Sequence, residues 1–389
     1  MKQPYPVTAY ALCNALGMTT TEVVGALLEG RSGLARPNVP LDFETFCGSM
    51  PAELPELPAS IAAYDTRLAR MSVVAFDGVS HAVSRAVAQW GGERVALVFG
   101  TSTGGVGQSE AADAHRRSEG ELPAFYDFQK HHPFHVVADA LALLAGINGP
   151  RYVISTACSS GGKALASAQR LLDQGVVDAV LTGSVDALCQ TTLRGFHSLS
   201  IVSTEPCRPF CEHRDGISLG EGAALLLVER QGDGPGRLLA VGETSDAYHM
   251  SSPDPEGRGA SEAMRSALEQ AGLMQEQLDL IYAHGTGTKH NDAAEARAIG
   301  ALFGEGVPVV STKAYTGHLL AASGSTGAVF SLASIERQWA PASLGAAPVA
   351  AGLGVNVKLR AEERPVRAVL SNSFGFGGTN VSVLIGGPQ

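Results

Sequence analysis

The chain has 389 residues, with 28 Lys and Arg against 38 Asp and Glu, for a net charge of −10. That balance, with no long basic run, excludes a nucleic-acid-binding protein, and an acidic partner would need a local basic patch. No apolar run approaches the roughly 20 residues of a membrane span, and the first 17 residues lack the charged head of a signal peptide. Six cysteines, at 13, 47, 158, 189, 207 and 211, follow no paired framework, so the expectation is a cytoplasmic protein with reduced thiols.

Taken in chain order, short β-rich apolar runs are predicted as strands at 6–12, 95–99, 152–156, 179–182 and 223–229. A helix is predicted over 159–174, where Ala164, Leu165, Ala168, Leu171 and Leu172 recur on one face. Further strands are expected at 238–247, 280–283, 307–311, 366–371 and 381–385. Runs apolar on both faces, alternating with helices, imply a buried sheet system with βαβ units.

The chain also echoes itself. Val153-Ile154-Ser155-Thr156, leading to Cys158, reads like Val309-Val310-Ser311-Thr312, leading to Lys313. Val98-Phe99-Gly100-Thr101 reads like Ala283-His284-Gly285-Thr286. Two echoes in the same order imply a duplicated fold, with halves 1–230 and 231–389 joined by the Gly-rich stretch 231–236. The first half then carries an insertion within 106–150, including the polar stretch 108–121.

The chemistry gathers at strand ends. Cys158 stands where a strand gives way to a helix, in Ser155-Thr156-Ala157-Cys158-Ser159-Ser160-Gly161-Gly162. A helix N-terminus favours a thiolate, and the small residues that follow would let a substrate approach. His284 and His318 each adjoin glycine at the end of another apolar run, which marks a turn more than a packing position. Each alone more often means a structural histidine, and a lone cysteine usually means a small core residue. A thiol and two histidines at strand ends of a duplicated sheet is a much rarer set. Ser371-Asn372-Ser373-Phe374-Gly375-Phe376-Gly377-Gly378-Thr379-Asn380 is predicted as a shaped loop with an apolar wall. Cys207, Cys211 and His213 offer only a weak metal pattern with no fourth ligand, so no metal site is expected.

These segments, with Arg214-Asp215-Gly216, Gly220-Glu221-Gly222 and Asp246-Ala247-Tyr248-His249-Met250, resemble the elongating β-ketoacyl-acyl carrier protein synthases over essentially the whole chain. The resemblance implies a thiolase-like, five-layered α-β-α-β-α fold built from two pseudo-symmetric halves. Cys158 would carry the acyl group, and His284 and His318 would drive malonyl decarboxylation. Lys313 would support them electrostatically, with Glu295 as a structural partner. The N–H groups of Cys158 and Phe374 would form the oxyanion hole; Phe374 would also gate the site, within an apolar loop that includes Phe376. Thr103 would line the acyl pocket. No metal or organic cofactor would be needed. The partners would be an acyl carrier protein and a second subunit, identical or ketosynthase-like.

Initiating synthases pair the cysteine with His and Asn, and biosynthetic thiolases use a second cysteine. The Lys313-to-His318 motif fits neither. The rival reading, a non-catalytic subunit that sets chain length, is disfavoured because such subunits usually lack the cysteine. Two stretches depart from the fatty-acid enzymes. The segment after Ser203-Thr204 is short and begins with Glu205, and Phe128-Gln129-Lys130-His131-His132 is unusually polar. Both tilt the reading toward a polyene or polyketide chain. With Glu205 where relatives often place a cation, Arg67 and Arg70 are the candidates for carrier docking.

Overall fold

The computed structural model describes residues 2–37 and 39–388. Each predicted strand run overlaps a strand. In chain order these are β1 (Tyr5–Asn14), β2 (Val95–Gly100), β3 (Arg151–Ile154), β4 (Ala179–Asp186) and β5 (Gly222–Glu229). They are followed by β6 (Gly236–Ser245), β7 (Leu280–Tyr282), β8 (Pro308–Val310), β9 (Ala368–Gly375) and β10 (Thr379–Gly386). The helices that matter for the site are α1 (Arg67–Asp77), α2 (Val136–Ala145), α3 (Ser160–Asp173) and α4 (Gln190–Ser198). To these are added α5 (Arg258–Ala271), α6 (Lys289–Phe303) and α7 (Ala322–Arg337).

The strands follow one order twice. The first half runs β3-β2-β4-β5-β1 and the second runs β8-β7-β9-β10-β6, with a two-residue strand Asn356–Val357 outside β8. Directions repeat as well: β2 is parallel to β3 and β4, whereas β5 is antiparallel to β4 and β1. In the same way β7 is parallel to β8 and β9, and β10 is antiparallel to β9 and β6. Tyr5, Pro6 and Val7 pair with Leu238, Arg237 and Gly236, so the two five-strand sets join along β1 and β6.

Alternation along each strand sorts side chains into separate cores. Ala96 and Val98 of β2 face the central core that holds Ala164, Leu165 and Leu172 of α3 and Val329, Phe330 and Leu332 of α7. Val95, Leu97 and Phe99 face an outer core with Leu68, Met71 and Phe76 of α1 and Leu141 of α2. In the second half Leu280 and Tyr282 point to the centre, while Ile281 faces Met264 of α5 and Ile299 of α6. The result is five layers, helix–sheet–helix–sheet–helix. In α7, thirteen of the sixteen residues are buried.

The glycines after Cys158 have a role other than the one expected from sequence. They serve the packing of α3 on α7 and not the approach of a substrate. A Cβ at Gly161 would lie 2.6 Å from the Ala321 carbonyl oxygen, and one at Gly324 would lie 2.5 Å from the Gly162 nitrogen. The stretch from Ser371 also differs from expectation. It is not a loop, because its first five residues belong to β9, where buried Ser371 pairs with Tyr282 and Val383. Only Phe376-Gly377-Gly378 forms the turn, with φ of 84° and 76° at the two glycines. No helix among the described residues is long and apolar enough to cross a membrane.

Backbone atoms cannot retreat as a flexible side chain can. Gly324→Ala is therefore expected to lower stability by about 1–3 kcal/mol, read as a shift in the denaturant midpoint. A midpoint equal to that of the wild type would show that the helices are not in close contact at this crossing.

Candidate active site

The nucleophile position is built by a strained elbow. Ala157 adopts a left-handed φ of 53°, turning the chain sharply between β3 and α3. Two buried hydroxyls hold that turn. The Ser160 hydroxyl accepts from the Thr156 N–H at 2.9 Å and donates to the Ala157 carbonyl at 2.6 Å. The Ser159 hydroxyl donates to the Thr156 carbonyl at 2.7 Å. Cys158 is left at the mouth of α3, lining a cavity of about 120 Å³ with His284, His318, Phe196, Phe374 and Phe376.

His284 follows β7 and is fixed through its backbone. Buried Glu295 accepts the N–H groups of His284 and Gly285, each at 2.7 Å. One turn earlier on α6, buried Asp292 accepts those of Thr286 and Gly287 at 3.0 and 3.1 Å. Two carboxylates three positions apart on one helix face thus hold the whole turn. The Lys313 ammonium donates to the His284 carbonyl. Lys313 therefore acts on the backbone of His284, and among the described residues no ion pair joins it to Glu295.

His318 lies 3.0 Å from the sulfur, Nε2 to Sγ. Its Nδ1 receives the Leu320 N–H at 3.2 Å and sits 3.0 Å from the Ser323 hydroxyl. An N–H donor at Nδ1 requires a lone pair there, which puts the ring proton on Nε2. The two imidazoles meet edge to face with centroids 5.1 Å apart. Burial, together with the Lys313 cation, pushes both well below the usual histidine range, so both are neutral. Burial also lowers Lys313, against the pull of Glu295. Glu295 itself is raised to about 7 by burial.

The Cys158 thiol is pushed up to about 11, chiefly by burial. Lys313 and the backbone N–H groups of Phe376 and Cys158 work in the opposite direction. The N–H groups that act on the sulfur are thus those of Cys158 and Phe376, where Phe374 was expected. The reason lies in the hairpin: Phe374 is still inside β9, paired with Asn380 and facing His284 at 6.1 Å. Phe376 is at the tip and packs on Phe196 of α4 at 5.5 Å. Gly375 lies between them, where a Cβ would crowd Thr379 Oγ1 at 3.0 Å, the Thr156 carbonyl oxygen at 3.1 Å and the Cys158 nitrogen at 3.3 Å.

The surroundings of Thr103, Arg67 and Arg70 differ from expectation. Thr103 is buried, and its hydroxyl bonds Asp186 at 2.8 Å, so it does not face the Cys158 cavity. Arg67 and Arg70 lie near the start of α1, and both are engaged in ion pairs within the subunit. Arg67 pairs with buried Glu221 at 2.5 Å and also donates to the carbonyls of Met50, Pro51 and Ala52. Arg70 grips Asp65 with two bonds of 2.6 Å. Cys207 and Cys211 bond carbonyls of Lys313 and Ala347. Among the described residues, only Cys158, His284 and His318 bring three metal-type ligand atoms together. Sequence reasoning missed Phe196, which carries no local signal, and Asp186, an acid closing an apolar strand.

A buried thiol, two neutral imidazoles, a buried ammonium and two converging N–H groups can form a thioester and stabilise negative charge on a neighbouring oxygen. On a duplicated five-layer fold, that set defines a condensing enzyme, an acyltransferase with the thiolase fold. Comparison with known proteins agrees. The profile described as "Beta-ketoacyl synthase, N-terminal domain" matches residues 6–233, and "Beta-ketoacyl synthase, C-terminal domain" matches 236–347. The chain belongs to the β-ketoacyl synthase family. It is 30% identical over 416 residues to 3-oxoacyl-[acyl-carrier-protein] synthase 2 of Coxiella burnetii, covering 99% of this chain and 98% of that protein. The Vibrio cholerae protein of the same name is 32% identical over 311 residues, covering 75% of each. Among solved structures, the ketosynthase (ApeO) in complex with its chain length factor (ApeC) from Xenorhabdus doucetiae superposes with a TM-score of 0.92. That match has 34% identity and covers 99% of this chain and 98% of that one.

Two measurements test the site. Cys158 reaches the cavity, so an epoxide should alkylate it before the other five cysteines. Because its pKa is raised, the labelling rate should climb roughly tenfold per pH unit from neutrality to pH 9. Peptide mapping that finds Cys207 or Cys211 modified first would contradict the assignment. Arg67→Ala leaves Glu221 buried and unpaired, so it should lower stability by on the order of 3 kcal/mol. If stability holds and only turnover with carrier-bound substrate suffers, Arg67 is a docking residue after all.

Proposed function

We propose that this enzyme extends an acyl chain by decarboxylative Claisen condensation on Cys158. The sulfur attacks an acyl-carrier thioester, the acyl group moves to Cys158, and the carrier thiol leaves with a proton. A malonyl-carrier then binds, its C–COO⁻ bond breaks, and CO₂ departs, leaving the electron pair as an enolate. His284 and His318 stabilise that enolate oxygen by donating from neutral rings. The enolate carbon attacks the acyl carbonyl, whose oxygen is held by the N–H groups of Cys158 and Phe376. The C–S bond breaks, the departing Cys158 thiolate takes up a proton from water, and the products are β-ketoacyl-carrier and a free thiol. Lys313 supports the pair by fixing the His284 carbonyl, Glu295 by fixing its backbone N–H.

The carrying observation is the 3.0 Å approach of His318 Nε2 to the sulfur, on a ring whose Nδ1 is already occupied. A base would need a free Nε2 lone pair, so His318 acts as a donor and the thiol owes its activation to Lys313 and the two N–H groups. Acyl- and malonyl-loaded carrier proteins are the partners, as the names of the curated relatives support. A subunit partner, like or related, suits the exposed Leu122, Phe125, Phe128 and Leu143 and the open sheet edge at β3. The ApeO structure, a ketosynthase paired with a chain length factor, supports the related-subunit form. Six free, buried cysteines support a reducing cytoplasm. Intact Cys158, His284 and His318 speak against a non-catalytic chain-length subunit.

His318→Ala should still accept an acyl group on Cys158 but lose malonyl decarboxylation by a factor on the order of 10² or more. Separate assays of transacylation and ¹⁴CO₂ release measure the two steps. Near-normal CO₂ release would remove His318 from the mechanism.

A further inference from the structure

Asp186 closes β4 and is fully buried, yet among the described residues no cation lies within ion-pair distance of it. Its charge is met by six hydrogen bonds from two directions. Oδ1 accepts from the Thr101 hydroxyl at 2.7 Å, the Ser102 and Thr103 N–H groups at 2.9 Å each, and the Thr103 hydroxyl at 2.8 Å. Oδ2 accepts from the Ser102 hydroxyl at 2.5 Å and from the Ala321 N–H at 2.7 Å. An isolated buried carboxylate is costly, and this one is retained by saturating its lone pairs.

The Ala321 bond gives the arrangement its chemical meaning. Ala321 follows Leu320, whose φ of 51° is left-handed, a conformation that a leucine does not hold unaided. In that conformation the Leu320 N–H points back to His318 Nδ1. Releasing Ala321 would let Leu320 relax and free Nδ1 to take the ring proton.

We infer that Asp186 is a positioning residue that sets the tautomer of His318, by holding the 319–321 turn against the loop after β2. The inference rests on the reading of His318 as an enolate donor. Asp186 also stands close enough to Cys158 to oppose its ionisation. The same carboxylate thus ties the Thr101–Thr103 loop of one half to the histidine of the other.

Asp186→Asn is nearly isosteric. Its amide oxygen can serve the four donors on the Oδ1 side, which leaves its NH₂ facing the Ala321 N–H, donor against donor. With ¹⁵N-histidine labelling, and the His318 resonances assigned from a His318→Gln variant, the wild type should show the proton on Nε2. Asp186→Asn should show a mixture of tautomers. Its CO₂ release should fall at least tenfold while transacylation stays within about threefold. Thr103→Val, which removes one donor from the Oδ1 side only, should lose stability comparably but keep the Nε2–H tautomer and CO₂ release. A wild-type ring protonated on Nδ1 overturns the inference even if Asp186→Asn does not fold. So does an Asp186→Asn enzyme with an unchanged tautomer, or a Thr103→Val enzyme that behaves like it. Normal CO₂ release in His318→Ala would instead overturn the proposed reaction, which keeps the two failures distinct.

Discussion

The constraint on which the site depends is the crossing of α3 and α7, where backbone meets backbone at Gly161, Gly162 and Gly324. Cys158 immediately precedes one of these helices and His318 precedes the other. Their side chains come within 3.0 Å on helices whose first turns each hold glycine where the two backbones approach. The sulfur–imidazole distance is thus decided by packing in the central layer, before any polar interaction acts. The small hydroxyl and alanine residues that flank the glycines extend the same requirement along both helices.

Around that contact, the polar groups follow one rule: a buried carboxylate grips backbone N–H groups of a turn that carries a chemical side chain. Glu295 and Asp292 do this for the His284 turn, and Asp186 for the turn beyond His318. Such bonds restrain the turns without competing for the reacting atoms, since the imidazole edges and the sulfur stay free. The same burial that makes the bonds strong keeps the imidazoles uncharged and the thiol protonated at rest. Lys313 supplies the compensating positive field from a position that is itself buried.

The sequence made the scaffold readable because apolar period and strand length are local signals. Each of the ten expected runs became a strand, and the echo around Val153 and Val309 reported a true repeat of strand order. Cys158, His284 and His318 were readable because glycine and small residues mark strand ends. What failed depended on partners distant in the chain. Arg67 looks like a free surface cation until Glu221, far along the chain, is folded beside it. Thr103 looks like a pocket wall until Asp186 takes its hydroxyl. Phe374 and Phe376 are indistinguishable until the hairpin register fixes which of them reaches the tip. Left-handed Ala157 and Leu320 carry no sequence mark, since neither is glycine.

The repeated strand order has a bearing on how such a chain can vary. Each half has an outer core of its own, but neither closes the central one, because α3 and α7 share the middle layer and each alone would be left with an unpaired apolar face. Each half therefore needs the other to cover the middle layer, and added length costs that layer least where a segment lies on the outer surface. The insertion between β2 and β3 lies there, with Phe125 and Phe128 turned to solvent. New features can accumulate on the rim of one half while the shared middle, and the chemistry set into it, stays as it is.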